Sequence, residues 1–183
     1  TAVAAVGTVY GDFCSADASS YELGIADYAN NTRSTIGSLH NYYVALGITK
    51  DNVLYGISTY GDLYRIDTKT AKESLVGSTG VKLMLSDGSW NVQSGEIDQA
   101  SGIFYWACTD HTGASALYTV DLTSGAATKV GDIVNNEQLA LLSIPKETVA
   151  DAAPGMTADL AVVLDKASLA GNLTFTVPTT TYR

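Results

Sequence analysis

Residues 54–80 read LYGISTYGDLYRIDTKTAKESLVGSTG, and the same pattern occurs twice more in diverged form. Residues 9–37 read VYGDFCSADASSYELGIADYANNTRSTIG, and residues 104–131 read FYWACTDHTGASALYTVDLTSGAATKVG. The best-matched part aligns without a gap: Leu23, Leu63 and Leu117 each stand four residues before Asp27, Asp67 and Asp121. Ten residues beyond each Asp come Gly37, Gly77 and Gly131, preceded by Ile36, Val76 and Val130. A tyrosine opens each unit (Tyr10, Tyr55, Tyr105), at a variable distance from the Leu. Fixed pairing with variable turns is how a repeated antiparallel β-unit diverges, and units of about 40–50 residues suit propeller blades better than one sandwich.

Working outward, each repeated Asp begins a turn. Its carboxylate can accept backbone N–H groups just ahead, and Asn31 or Gly125 tolerates the left-handed conformation of a hairpin bulge. Ala71 tolerates it less, so the middle turn is expected to differ in type. Strands are expected over 2–13, 21–26, 32–37, 53–58, 63–67, 72–76, 117–121 and 127–130. A hairpin over 96–108 turns at 100–102, and Asp87-Gly88 turns the long connection before it. Residues 42–47 alternate and read as a strand, with a short helix as the alternative, and residues 138–144 (QLALLSI) read as a last strand stopped by Pro145. No amphipathic helix of ten residues is legible, so the fold class is all-β, with about three propeller-like antiparallel blades. Leu23, Leu63, Leu117, Ile36, Val76 and Val130 are expected to be buried at equivalent places.

The composition narrows the partners. With 46% hydrophobic and 16% charged residues the chain can build a core. A net charge of −9 without any basic run argues against nucleic acid. No apolar stretch approaches the roughly 18–20 residues of a membrane span. Cys14 and Cys108 are the only cysteines and read as small buried strand residues, an oxidised pair being the alternative. No spacing for a metal or cofactor is present, and no nucleophile, zinc-protease or phosphate-loop motif either, so no catalytic residue is assigned. Asp27, Asp67 and Asp121 recur at one turn position, which places them in separate blades rather than in one acid–base set. His111 lies in a polar loop. The aromatic residues Trp90, Trp106 and Tyr60 are the candidate ligand contacts.

Strands of the type Leu63–Gly77 and Leu117–Gly131, with Ile97-Asp98-Gln99-Ala100-Ser101-Gly102-Ile103-Phe104-Tyr105, resemble blades of secreted β-propellers from Bacteroidetes. The first unit departs from that pattern, with Gly24 for the Tyr and Ala26 for the Ile. The resemblance covers about residues 1–144 and gives a domain of 1–145. Residues 146–154 (KETVADAAP) form a linker by composition. Residues 155–183 resemble the first strands of a fibronectin type III-like domain, carried by Pro154, Ala158-Asp159-Leu160-Ala161-Val162 and Gly171-Asn172-Leu173-Thr174-Phe175-Thr176-Val177-Pro178. These resemblances imply an extracellular or cell-surface location and a non-catalytic module that binds protein or glycan. Two alternatives stay open: part of a carbohydrate-active propeller enzyme whose catalytic residues lie in other blades, and a structural spacer of a surface assembly. Three blades do not close a ring, and the terminal hairpin leaves Leu160, Val162, Leu173 and Phe175 uncovered. Another polypeptide is therefore expected to complete both.

Overall fold

The computed structural model describes residues 8–17, 19–27 and 30–144. The chain divides into two units, Thr1–Lys146 and Glu147–Arg183, and every described residue falls in the first. The linker and the fibronectin-like hairpin lie outside the described residues, as does the start of the first expected strand.

Three antiparallel sheets follow one another along the chain, and none closes on itself. The first holds β1 (Val9–Cys14), β2 (Tyr21–Asp27) and β3 (Thr32–Leu39). The second holds β4 (Tyr43–Ile48), β5 (Leu54–Ser58), β6 (Asp62–Ile66) and β7 (Glu73–Ser78). The third holds β8 (Ser94–Ile97), β9 (Phe104–Thr109), β10 (Ser115–Val120) and β11 (Ala127–Asp132). The only helical element among the described residues is a 3-10 turn at Val134–Asn136. Residues 42–47 fall largely in β4, a strand rather than a helix.

The repeat is reproduced down to one defect in the pairing. In each sheet the register slips at the aligned Leu: between Leu23 and Gly24, Leu63 and Tyr64, and Leu117 and Tyr118. Leu23 pairs with Gly37, Leu63 with Gly77 and Leu117 with Gly131, so Ile36, Val76 and Val130 are the extra residues of three equivalent β-bulges.

These positions line what we call the forward face of each sheet. Leu23 packs with Leu39 against Leu54, Ile66 and Ala71 of the second sheet, with Tyr10 and Ile36 beside them. Leu63 packs with Ile57 and Ala45 against Ile97, Phe104, Trp106 and Val120 of the third, with Tyr55 and Val76 beside them. The tyrosine at the other side of the Leu–Tyr pair faces backward: Tyr64 joins the first cluster and Tyr118 the second. The turn of the following sheet then seats on the bulge glycine. A Cβ on Gly37 would stand 3.1 Å from the Ala71 methyl, and one on Gly77 would collide with the Ser124 carbonyl oxygen. At Gly77 glycine is required because the obstructing atom is backbone, which cannot swing aside, whereas at Gly37 the fit is tight but not closed.

Four expectations need correction. Ala71 does not change its turn: its N–H donates to the Asp67 carbonyl at 2.8 Å, as Gly125 N–H does to Asp121. Its backbone is left-handed (φ 57°) like those of Asn31 and Gly125. The methyl is 3% exposed and packs in the first cluster, which offsets a left-handed cost of about 1–2 kcal/mol. Nor are all six aligned apolar residues buried. Leu23 and Leu63 are fully buried, Ile36, Val76 and Leu117 are half-buried, and Val130 is 59% exposed. Leu117 and Val130 belong to the third sheet, whose forward face has no following sheet among the described residues.

Residues 138–144 form no strand. They run beside β8, where Leu142 N–H donates to Ser94 Oγ and Ile144 N–H to Glu96 Oε2, both at 2.6 Å. Without a backbone ladder partner there is no strand to assign. Cys108 is buried and Cys14 exposed, both as free thiols in different sheets, so the buried reading holds for Cys108 alone.

Leu63→Ala is expected to lower stability by about 2–5 kcal/mol and Gly77→Ala by about 1–3 kcal/mol, with Leu75→Ala within about 0.5 kcal/mol, all read from urea unfolding.

Candidate functional site

The sheets place their connections at two ends. One end carries the Asp turns, and there the carboxylates are committed to their own backbone. Asp67 Oδ1 accepts from Lys69 N–H at 2.8 Å and Thr70 N–H at 3.0 Å. Asp121 Oδ1 accepts from Thr123 N–H at 2.8 Å and Ser124 N–H at 2.7 Å, and Asp98 repeats the arrangement with Ala100 and Ser101. These donors hold the carboxyls low: chiefly Lys69 N–H for Asp67, the Ser101 hydroxyl for Asp98 and Ser124 N–H for Asp121. Asp27 takes Asn30 N–H at 3.1 Å in the same way. Each Asp serves a separate turn.

The other end carries the longer loops and gathers aromatic side chains. The rings of Tyr21, at the start of β2, and Tyr42, just before β4, lie 5.2 Å apart. Tyr42 in turn lies 5.1 Å from Trp90, in the connection from β7 to β8. One row therefore runs from β2 across the connections β3–β4 and β7–β8. Tyr60 lies in the β5–β6 turn at the same end, where the preceding Thr59 N–H donates to the Tyr42 carbonyl at 3.0 Å. Trp90 is 38% and Tyr60 67% exposed.

The sequence explains why this connection is held. Gly61 is left-handed (φ 82°), and a Cβ there would collide with the Val81 carbonyl oxygen. Thr79 closes the contact through its hydroxyl to the Gly61 carbonyl at 2.6 Å. Leu83 is buried in the second cluster. Beyond Trp90, Asn91 Nδ2 donates to the Asp110 carbonyl at 2.9 Å, and Val92 N–H donates to Gln138 Oε1 at 2.9 Å. The tryptophan is thus presented from an anchored segment.

Trp106 has a different place. It is fully buried, its indole N–H donates to Gln93 Oε1 at 2.9 Å, and its ring lies 5.5 Å from Tyr118. Of the three aromatic residues singled out from the sequence, the structure brings Trp90 and Tyr60 to one end and puts Trp106 in the core.

Two carboxylates beside Tyr43 carry no motif in the sequence. Glu73 accepts from the Tyr43 hydroxyl at 2.6 Å, His40 N–H at 2.7 Å and Asn41 Nδ2 at 3.0 Å, with His40 Nδ1 at 2.9 Å. Burial by itself would raise this carboxyl, but the Tyr43, His40 and Asn41 donors outweigh it and hold it low. Asp12 differs. One oxygen accepts from Tyr43 N–H at 3.1 Å, while the other is buried with no partner among the described residues. Burial pushes Asp12 up to about 6, against the Tyr43 N–H, and the Glu73 charge adds to the rise. The Asp12 charge also adds to the burial that raises Tyr42. No group of three or more His, Cys, Asp or Glu among the described residues could hold a metal ion. No helix among them is long and apolar enough to cross a membrane.

Residues 18–149 match the family described as "Repeat of unknown function (DUF6923)". The chain belongs to this family. No curated protein matches it. The DUF6923 match covers almost all of the three sheets, in keeping with a structure built from three copies of one bulged unit.

Asp12 gives a pH test. Its folded-state carboxyl titrates above the ordinary value, so its contribution is full below about 3.8 and lost as pH rises through about 6. Asp12→Asn is therefore expected to stabilise the protein at pH 8 by about 1–2 kcal/mol, allowing for solvent screening, with the gain fading below pH ~4. Urea unfolding of both forms across pH 4–8 reads it.

Proposed function

We propose that the chain is part of a propeller-type, non-catalytic recognition module of a secreted or cell-surface protein, which binds glycan at its loop end. The observation that carries the reading is the aromatic row Tyr21–Tyr42–Trp90, open to solvent at Trp90, with Tyr60 exposed at the same end. Flat, amphipathic rings held in a row suit the apolar faces of sugar rings, and their hydroxyl and indole N–H groups suit the sugar hydroxyls. The propeller reading draws support from the way the sheets stack forward face to backward face. It also draws on the cleft of ≈ 440 Å³ where β1, β4, β8 and residues 142–143 converge. A catalytic role for Glu73 itself has little support, because it is wrapped in donors with its side chain only 6% exposed.

A glycan array followed by titration tests the proposal. Acrylamide-quenchable fluorescence reports Trp90, since Trp106 is buried, and a bound oligosaccharide is expected to protect it. Trp90→Ala and Tyr42→Ala are expected to weaken binding about tenfold or more while leaving the circular-dichroism spectrum unchanged. Equal binding by both variants, binding of protein ligands alone, or hydrolysis of any glycan would count against it.

A further inference from the structure

At the Asp-turn end of the second sheet, Arg65, Lys69 and Lys72 line one pocket of ≈ 370 Å³. Arg65 stands on β6 opposite Ser74 of β7, and both lysines come from the turn between these strands. That turn is fixed: Asp67 N–H donates to the Lys72 carbonyl at 2.9 Å, and Ala71 N–H to the Asp67 carbonyl at 2.8 Å. Asp67 is the one carboxylate in the lining, and its Oδ1 already accepts from Lys69 N–H and Thr70 N–H. Three cations thus share one carboxylate, in a chain whose net charge is −9. Elsewhere Arg33 pairs with Glu22, and Lys129 with Asp132. Among the described residues the side chains of Arg65, Lys69 and Lys72 have no hydrogen bond or ion pair, nor have the Thr68 and Ser74 hydroxyls or the Asn52 amide beside them.

The repeat supplies its own control. The third sheet has the same pocket, ≈ 390 Å³ in volume, at Thr119, Asp121, Ala126 and Thr128. By their offsets from Leu63 and Leu117, these residues align with Arg65, Asp67, Lys72 and Ser74, and Thr123 aligns with Lys69. No cation lines this second pocket. In the first unit the three positions hold Ile25, Ala29 and Thr32. The hairpin and its bulge form in all three units, so pairing does not call for the cations. Gathering like charges on one short turn opposes folding through their mutual repulsion. The groove belongs to the repeated unit, and its positive charge belongs to the second copy alone.

We infer that the pocket of the second sheet binds a tetrahedral oxyanion group, a sulfate or phosphate ester. The planar Arg65 guanidinium matches two oxygens of such a group at once, and the Lys69 and Lys72 ammoniums act as adjustable point charges. A carboxylate offers two oxygens in one plane, which the guanidinium alone fills. A sulfate or phosphate group turns further oxygens to other sides, which suits separately mounted ammoniums and the Thr68, Ser74 and Asn52 donors. The pocket lies at the opposite end of the sheets from the Tyr21–Tyr42–Trp90 row, so it is a second site and does not rest on the glycan reading of that row.

Amide-resonance titration of the full chain tests this, with sodium sulfate, sodium phosphate and glucose-6-sulfate set against sodium chloride and sodium acetate at matched ionic strength. Saturable shifts are expected across residues 65–74 and not across residues 119–128, and they should weaken as added salt screens the cations. Arg65→Gln is expected to weaken binding about tenfold or more. The triple variant Arg65→Gln, Lys69→Gln, Lys72→Gln should abolish it with an unchanged circular-dichroism spectrum. Tighter binding of glucose-6-sulfate than of sulfate would assign the group to a sugar, and equal binding would assign the free anion; both support the site. Quenching of Trp90 fluorescence reads the aromatic row separately and is expected not to respond to sulfate. Shifts that chloride or acetate reproduces, equal shifts across residues 119–128, or binding that survives the triple substitution would each overturn the proposal.

Discussion

The structure depends on the seating of one sheet's turn on the bulge glycine of the sheet before it. An extra residue at Ile36 or Val76 bends the outer strand, and the glycine that follows lets foreign backbone approach where any side chain would stand in the way. The Leu opposite that glycine is then driven into the next sheet, and the neighbouring Tyr into the previous one. Direction is built into each unit. This is why the parts cannot be permuted, and why Ala71 and Gly125, the smallest side chains, occupy the left-handed turn position at the two occupied seats.

Much of this was legible. The ungapped Leu–Asp–Gly spacing marks β6, its turn and the bulged β7, because a hairpin of fixed register leaves no freedom between those positions. Burial was less legible for a physical reason. Val76 and Val130 are equivalent by sequence, yet one lies against the third sheet and the other meets solvent. A residue's environment depends on what stacks on its sheet, and that is a property of the array rather than of the unit. Residues 138–144 mislead in the same way, since their apolar run describes a strand whose ladder partner the described residues do not supply.

The loop end was only half legible. Trp90 and Tyr60 announce themselves as aromatic residues in turns, but Tyr42 sits beside Tyr43 in a sequence that hides their separate duties. Tyr42 joins the exposed row, while Tyr43 reaches Glu73 and gives its N–H to Asp12. Asp12 and Glu73 are 61 positions apart and carry no spacing signal. Trp106, as prominent as Trp90 on paper, is a core residue because β9 places it opposite Tyr118 on the face that meets the second sheet.

The central claim is that successive sheets meet through these close, directional contacts, and a double-mutant cycle across β4 and β8 tests it most directly. A Cβ on Gly47 would stand 2.7 Å from Ile97 Cγ1, so Gly47→Ala should destabilise the wild type. Truncating Ile97 to Ala removes the obstructing atoms, so Gly47→Ala should cost clearly less in that background. The account expects a coupling of about 1 kcal/mol or more, whereas additivity within about 0.5 kcal/mol would contradict it.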